Sequence, residues 1–474
     1  MVEHGSDPEV AVSEPQRPLQ ILLLADDAHA ANSVVDHIEA FRSHSRHRWF
    51  VVNPMRHPVC ATLSFERFDA IAIHYSIAVI WDSFLPKAIR RKIERFNGLK
   101  LQFIQDEYRK VRAFSERMAE LGIELLFTLV RPDLVERAYD HPGLRCVRKV
   151  SVLPGYVPEK LHDVDVPPIR DRKLDIAYRS RRLPYWYGEL GQEKVRIAEQ
   201  TLARAAASGL VVDISVREED RVYGEGWIRF LSSARSVLGT EGGASIWDFD
   251  GSVQREVDAW VKGHPDATFV EVSERILAAH EGNLPYNTMS PRLFEAAALR
   301  TPMVMFPGWY NGVVEPHRHY IPVEKDFSNW DEVVRRLRDD AFLQDLADRT
   351  HKELVESGRY SKQAFIALVD HVVDEEAIAH GMRPEATTRI RIRARSAYLT
   401  SATRAGLQVE RVLALLWRVA RRPFQIGRTA LRILRDPDRS LRAVVIDRLR
   451  SIYLRNPHLP RLYRTIRSLG REGR

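Results

Sequence analysis

Short apolar runs alternate with helical segments along most of this chain, and that alternation constrains its fold more than any other feature. Leu19–Ala25 (LQILLLA), Trp49–Val52, Ala70–His74 (AIAIH), Leu101–Ile104 and Leu125–Val130 each have the length of a buried strand. Helical patterns lie between them: Val34, Val35, Ile38 and Phe41 share one face, and Ile89–Phe96 and Tyr108–Leu121 follow. The pattern restarts with strands at Leu174–Tyr178, Val211–Val216, Ser236–Gly239 and Pro302–Phe306, and with helices at Glu193–Ala207, Trp227–Ser233, Pro291–Leu299 and from Trp330 to about Glu376. Strands and helices in this succession predict an α/β chain with parallel sheets.

The expected organisation is a disordered start over 1–18, one Rossmann-like domain over 19–157, a proline-bearing charged linker over 158–173, a second Rossmann-like domain over 174–380 and a helical tail over 381–474. At 474 residues the chain has room for two such domains, taking about 150 residues for each as a prior. In open parallel sheets ligands bind beyond the carboxyl ends of the strands. Two such domains are therefore expected to face one another across a cleft.

Two cysteines, Cys60 and Cys146, lie far apart without metal-ligand spacing, which argues against a disulfide framework and a zinc site. The start is polar and acidic and does not read as a signal peptide, and no window reaches the roughly 18 uncharged apolar residues of a spanning helix. A cytoplasmic location is expected, with a peripheral position on the inner face of the membrane as an extension of it.

Charge is divided unevenly. Residues 389–474 hold 22 arginines, no lysine and five acids, a net +17; taken from the total of +8, this leaves −9 on residues 1–388. In the tail Leu441, Val445, Leu449 and Ile452 recur at helical spacing, as do Val409, Val412, Leu413 and Leu416. Amphipathic helices flanked by arginine suit an anionic membrane surface, with packing on the protein body or a partner as the alternative. Nucleic acid is not expected as a partner, because the tail lacks the interleaved aromatics of single-strand binders.

The most informative segment is Ser290-Pro-Arg292-Leu-Phe-Glu295-Ala-Ala-Ala-Leu-Arg300-Thr-Pro302-Met-Val-Met-Phe306. It reads as a helix entered through Ser290, with proline in its first turn and Arg292 and Glu295 on one face. An arginine there offers a fork to a diphosphate, and a carboxylate one turn on can accept from ribose hydroxyls. On spacing alone the same two residues are also an ordinary surface ion pair. Arg179, Arg181 and Arg182 follow the first strand of the second domain and form a candidate phosphate clamp. Thr240-Glu241-Gly242-Gly243-Ala-Ser245 follows another strand, with glycines that allow backbone to approach an anion or simply make a helix-entry turn. In the first domain, His74 and Asp106 lie at strand ends and are candidate general bases toward an acceptor hydroxyl, or else hydrogen-bonded loop residues. Asp248-Phe-Asp250 has the D-x-D spacing of a metal chelate but is read as structural or acceptor-side.

The run RLFEAAALRTPMVMF resembles the group 1 glycosyltransferases of the GT-B fold, whose helix carries R-x-x-E-A-x-A-x-G-x-P-V-V. The resemblance implies a GT-B-like chain that transfers a sugar from a UDP- or GDP-linked donor to a glycan or lipid-linked acceptor in surface polysaccharide synthesis. It requires no metal and no cofactor besides the nucleotide-sugar substrate. It implies that Glu295 binds the donor ribose, that Ser290, Arg292, Gly242, Gly243 and Ser245 lie at the donor, and that Glu241 contacts the sugar as a catalytic residue. Arg300 stands where the family has glycine, and about fifty residues separate Glu241 from Glu295, where the family has seven between its two glutamates. A non-catalytic sugar-nucleotide scaffold and a sugar epimerase are the competing readings.

Overall fold

The computed structural model describes residues 18–29, 31–55, 63–162 and 164–382. The basic tail with its membrane role, and the disordered start, lie outside the described residues apart from Pro18, Gly381 and Met382.

Residues 19–151 build β1 (Gln20–Leu24), α1 (Asn32–His44), β2 (Arg48–Val52), β3 (Ala70–Ile73), α2 (Lys87–Arg95), β4 (Leu99–Phe103), α3 (Val111–Leu121), β5 (Leu125–Thr128), α4 (Val135–Ala138) and β6 (Arg148–Ser151). The six strands form one parallel sheet in the order β2-β1-β3-β4-β5-β6. Every residue of β1 is buried because helices cover both faces of the sheet. The strand's two-residue period divides it: Leu22 and Leu24 join Ile89 and Ile93 of α2 and Met118 and Leu121 of α3, while Ile21 and Leu23 join Ile38 and Phe41 of α1.

Residues 176–379 build β7 (Ile176–Arg179), α5 (Glu189–Ala205), β8 (Val212–Ser215), α6 (Glu225–Ser232), β9 (Val237–Gly239), β10 (Gly242–Ala244), α7 (Ser252–Gly263), α8 (Phe269–Val272), β11 (Tyr286–Thr288), α9 (Arg292–Ala298), β12 (Met303–Met305), β13 (Ile321–Pro322), α10 (Trp330–Leu337), α11 (Asp340–His351) and α12 (Lys362–Ala379). Five strands form a second parallel sheet, β13-β12-β9-β7-β8. In both sheets the chain runs outward from the first strand and then returns to its other side, which opens a crevice between β1 and β3 and between β7 and β9.

Two segments pack differently from the expected division. Helix α12, placed with the second domain by sequence, lies on the first sheet, where Ile366, Val369, Val372 and Val373 are buried with Ile21 and Phe41. Each such side chain contributes about 1.5–3 kcal/mol by leaving water. Asp370 at its middle accepts from Ser45 Oγ at 2.6 Å and from Arg46 N at 2.8 Å. Residues 242–288, which carry no strong strand pattern, form a short antiparallel pair (β10 with β11) and two helices. Their Trp247, Val253, Val257 and Leu277 share one apolar cluster with Leu22, Ile71 and Leu126 of the first sheet.

Arg172 anchors the end of the 158–173 linker to the second sheet. Arg172 is buried and its guanidinium donates to Pro167 O at 2.9 Å, Ala234 O at 3.0 Å, Thr301 Oγ1 at 2.9 Å and Leu299 O at 3.2 Å. Burial pushes its pKa down to about 10.

Contacts between the strand-end loops join the two halves. Tyr108 OH donates to Tyr187 OH at 3.1 Å, Arg109 lies 5.2 Å from the Trp186 ring, and Arg131 lies 4.7 Å from the Trp309 ring.

Candidate functional site

A cavity of about 260 Å³ opens at the carboxyl ends of β7, β9 and β12, at the crevice of the second sheet. Chain order brings its walls together. Tyr178–Arg181 leave β7, Thr240 leaves β9, Met303 and Met305 lie on β12, and Ser290, Arg292, Leu293 and Ala296 come from the start and inner face of α9. Helix α6 and the loop before it add Arg221, Trp227, Phe230 and Leu231, and α5 adds Lys194.

Five cations, Arg179, Arg181, Lys194, Arg221 and Arg292, line this space, and no carboxylate does among the described residues. They are not equivalent. Arg179 is fully committed: it donates to Asp213 Oδ1 at 2.7 Å and to the carbonyls of Asp213, Tyr178 and Asp220 at 2.9–3.0 Å, and lies 4.4 Å from the Phe230 ring. It therefore braces the wall. Arg221 is held by Glu218 at 2.9 Å. Arg292 donates to the Arg179 carbonyl and lies 4.8 Å from the Trp227 ring. Burial, reinforced by the charges of Arg292 and Arg181, pushes Lys194 down to about 8, while Asp106 from the first half opposes the shift. Cations crowded at a strand-end crevice with an aromatic and aliphatic floor form a receptor for a polyanion that carries an apolar ring.

The expected residues divide. Arg292 and Ser290 line the cavity as expected, although Ser290 makes no side-chain cap to α9, whose seven residues start at Arg292. Glu295 lies one turn on, as its spacing demands, and accepts from Trp227 Nε1 at 2.7 Å. Arg181 lines the cavity, but Arg182 does not: it points along α5 and pairs with Glu199 at 2.6 Å. Gly242 and Gly243 are not a phosphate cradle, because both belong to β10. A Cβ on Gly243 would lie 1.8 Å from Tyr286 O, so glycine is required there by the antiparallel pairing. Ser245 Oγ accepts from Leu190 N at 3.2 Å at the start of α5 and is outside the cavity.

Glu241 and His74 also differ from their expected roles as free catalytic groups. Glu241 is buried and accepts from Trp309 N at 3.1 Å, Tyr310 N at 2.9 Å and Asn287 Nδ2 at 2.8 Å. His74 is wholly buried; Ser76 N donates to its Nδ1 at 3.1 Å, so its proton sits on Nε2, which donates to His37 Nδ1 at 2.9 Å. Burial holds His74 well below its ordinary pKa and pushes His37 down to about 3, so both rings are neutral structural groups. Asp106 does not line the cavity; it is exposed, follows β4 with φ 54°, and its charge acts on Lys194. Its neighbour Glu107 is buried, accepts from Leu129 N at 2.7 Å and from the Thr128 and Tyr139 hydroxyls, and is pushed up to about 7 by burial.

Asp248 of the D-x-D caps α7, accepting from Gln254 N at 2.9 Å and Val253 N at 3.3 Å, which is the structural role expected of it. No group of three His, Cys, Asp or Glu residues is placed to hold a metal among the described residues. Sequence reading missed Lys194, which sits in a charged helical stretch that looks like any solvated face, and Arg221 and Trp227 across the cavity.

No family model matches this chain, and no curated protein matches it. Among solved structures it is similar to that of T4 phage BGT in complex with its UDP-glucose substrate, at 10% identity over 75% of this chain and 98% of that chain, with a TM-score of 0.42. It is also similar to an alpha-glucosyltransferase in complex with UDP-glucose and DNA containing an abasic site, at 8% identity over 75% and 99% of the two chains, with a TM-score of 0.45. A further match is T4 phage beta-glucosyltransferase, at 11% identity over 75% and 98%, with a TM-score of 0.42. At these scores the likeness is one of broad chain path, and no residue role is taken from it. Two of the matched alpha-glucosyltransferase structures hold DNA, which stands against the expectation that nucleic acid is not a partner.

Proposed function

We propose that this chain is a glycosyltransferase that binds a nucleoside diphosphate sugar in the cation-lined cavity, on a GT-B-like arrangement of two facing units. One observation carries the reading: Arg181, Lys194, Arg221 and Arg292 converge at the β7/β9 crevice with no carboxylate among the cavity's described walls. A diphosphate leaving group gains negative charge as the bond to the sugar breaks, and fixed cations in a recessed site stabilise that charge. Trp227, Phe230 and Leu231 provide apolar surface beside the cations. Glu295, held by Trp227 one turn beyond Arg292 and outside the cavity walls, would accept from ribose hydroxyls of a donor that extends past them. Asp106 of the first unit, exposed after β4 and acting electrostatically on Lys194, is suited to take the proton of an acceptor hydroxyl. A carbohydrate or lipid-linked acceptor would approach from that unit.

Titration calorimetry with UDP, GDP and UDP-glucose tests the donor site. Binding of at least one, weakened in Arg292→Ala and in Lys194→Ala, is the expected result; absence of binding by all three rejects the reading. Transfer from UDP-glucose, assayed in parallel on a lipid-linked saccharide and on duplex DNA, distinguishes the acceptor classes.

A further inference from the structure

The loop after β12 holds an unusual backbone. Trp309 is right-handed (φ −78°, ψ −37°), and Tyr310, Asn311 and Gly312 follow with φ of 44°, 55° and 68°. Two of these three left-handed residues carry side chains, and each costs roughly 1–2 kcal/mol relative to an ordinary conformation. A right-handed residue followed by a left-handed one turns successive N–H groups toward one point and makes an anion-binding concavity. Here that concavity is filled from within the chain, since Glu241 Oε1 accepts both Trp309 N at 3.1 Å and Tyr310 N at 2.9 Å.

The surroundings fit the carboxylate closely. Oε2 is held by Asn287 Nδ2 at 2.8 Å. Gly308 packs closely against the carboxylate: a Cβ there would lie 2.7 Å from Oε2 and would have to push it aside. On the far side of the turn Asn311 Oδ1 accepts from Met289 N at 2.6 Å and from Thr288 Oγ1 at 3.1 Å. The strained turn is therefore fixed at one end by Glu241, in the link between β9 and β10, and at the other by Thr288 and Met289 at the end of β11.

This turn serves two places. Tyr310 lines the cation-lined cavity and donates its hydroxyl to Phe306 O at 2.7 Å, and Trp309 meets Arg131 of the first half at 4.7 Å. We propose that Glu241 is a positioning residue: its carboxylate occupies the Trp309–Tyr310 concavity and so fixes the wall of the donor cavity and its contact with the other half, without touching the donor. This rests on the donor reading given above.

The test pairs UDP-glucose binding with amide hydrogen exchange. In Glu241→Ala the Trp309 and Tyr310 amides are expected to exchange faster while those of β9 and β12 keep their protection. The dissociation constant for UDP-glucose should rise at least about tenfold, given two lost hydrogen bonds to a charged acceptor. Glu241→Gln keeps an oxygen for both N–H groups and should restore protection and most of the affinity. Gly308→Ala crowds Oε2 without deleting it and should weaken binding in the same direction, less so when Glu241 is already alanine. Unchanged exchange at Trp309 and Tyr310 in Glu241→Ala, or a UDP-glucose affinity of that variant equal to that of a wild-type protein that binds it, overturns the positioning role. A wild-type protein that binds no sugar nucleotide overturns the donor reading, and the role built on it falls with it.

Discussion

The indole Nε1 of Trp227 donates to Glu295 at 2.7 Å while the same ring lies 4.8 Å from the Arg292 guanidinium. Helix α6 thus presents one aromatic side chain that orients both charged residues of α9, which lie three positions apart on that helix. Trp227→Phe keeps a ring beneath Arg292 but removes the donor to the carboxylate. Its expected effects are a loss of about 1 kcal/mol of stability in urea unfolding and a roughly tenfold weaker UDP-glucose affinity by calorimetry.

Lys194, held down to about 8, gives donor binding a pH dependence. Below that value the side chain is charged and attracts the diphosphate; above it the attraction fades. A bound anion favours the protonated form, so binding near pH 8 should draw a proton from solvent. Calorimetry in buffers of different ionisation enthalpy is expected to show that uptake in the wild type and to lose it in Lys194→Met.

Arg172 is a buried cation whose partners are carbonyls and a hydroxyl, and it ties the 158–173 stretch to the second sheet. Arg172→Leu removes the donor to Pro167 O and Ala234 O, while Leu299 O keeps the Thr301 hydroxyl. A loss of about 3 kcal/mol in the urea unfolding free energy is expected. Donor affinity measured on the folded fraction should change little, since Arg172 is not among the cavity walls.

His37 and His74 make the fold acid-sensitive. Both have folded pKa values below the ordinary histidine value, by burial, with His37 at about 3. The unfolded chain therefore binds protons that the folded chain does not, between the ordinary value near 6.5 and the depressed ones. Their contribution is present above about pH 6.5 and is lost progressively as pH falls below it. The urea midpoint should drop between pH 7 and pH 5, and the drop should shrink in His37→Phe.

Much of the frame was legible in the sequence. LQILLLA and AIAIH announced themselves as β1 and β3 because central parallel strands are apolar on both faces. Strand β6 (RKVS) sits at the edge of the sheet and is half-exposed throughout, so it has no such signature. The Arg292–Glu295 spacing placed both on one face of α9, as helical geometry requires. His74 and Glu241 sit at strand ends as expected, yet being at a strand end does not set the direction of a side chain. His74 turns inward to His37, and Glu241 turns to the backbone of Trp309 and Tyr310.

The sequence by itself determined the alternating α/β plan, the restart of that plan near residue 174, and the cationic face of α9, because each follows from short-range periodicity that local geometry enforces. Tertiary structure alone decided that α12 crosses to the first sheet, that residues 242–288 share an apolar core with it, and that Lys194, Arg221 and Trp227 meet Arg292 around one cavity. These are contacts between residues far apart along the chain, chosen by which buried surfaces and charges fit together, and no local pattern encodes that choice.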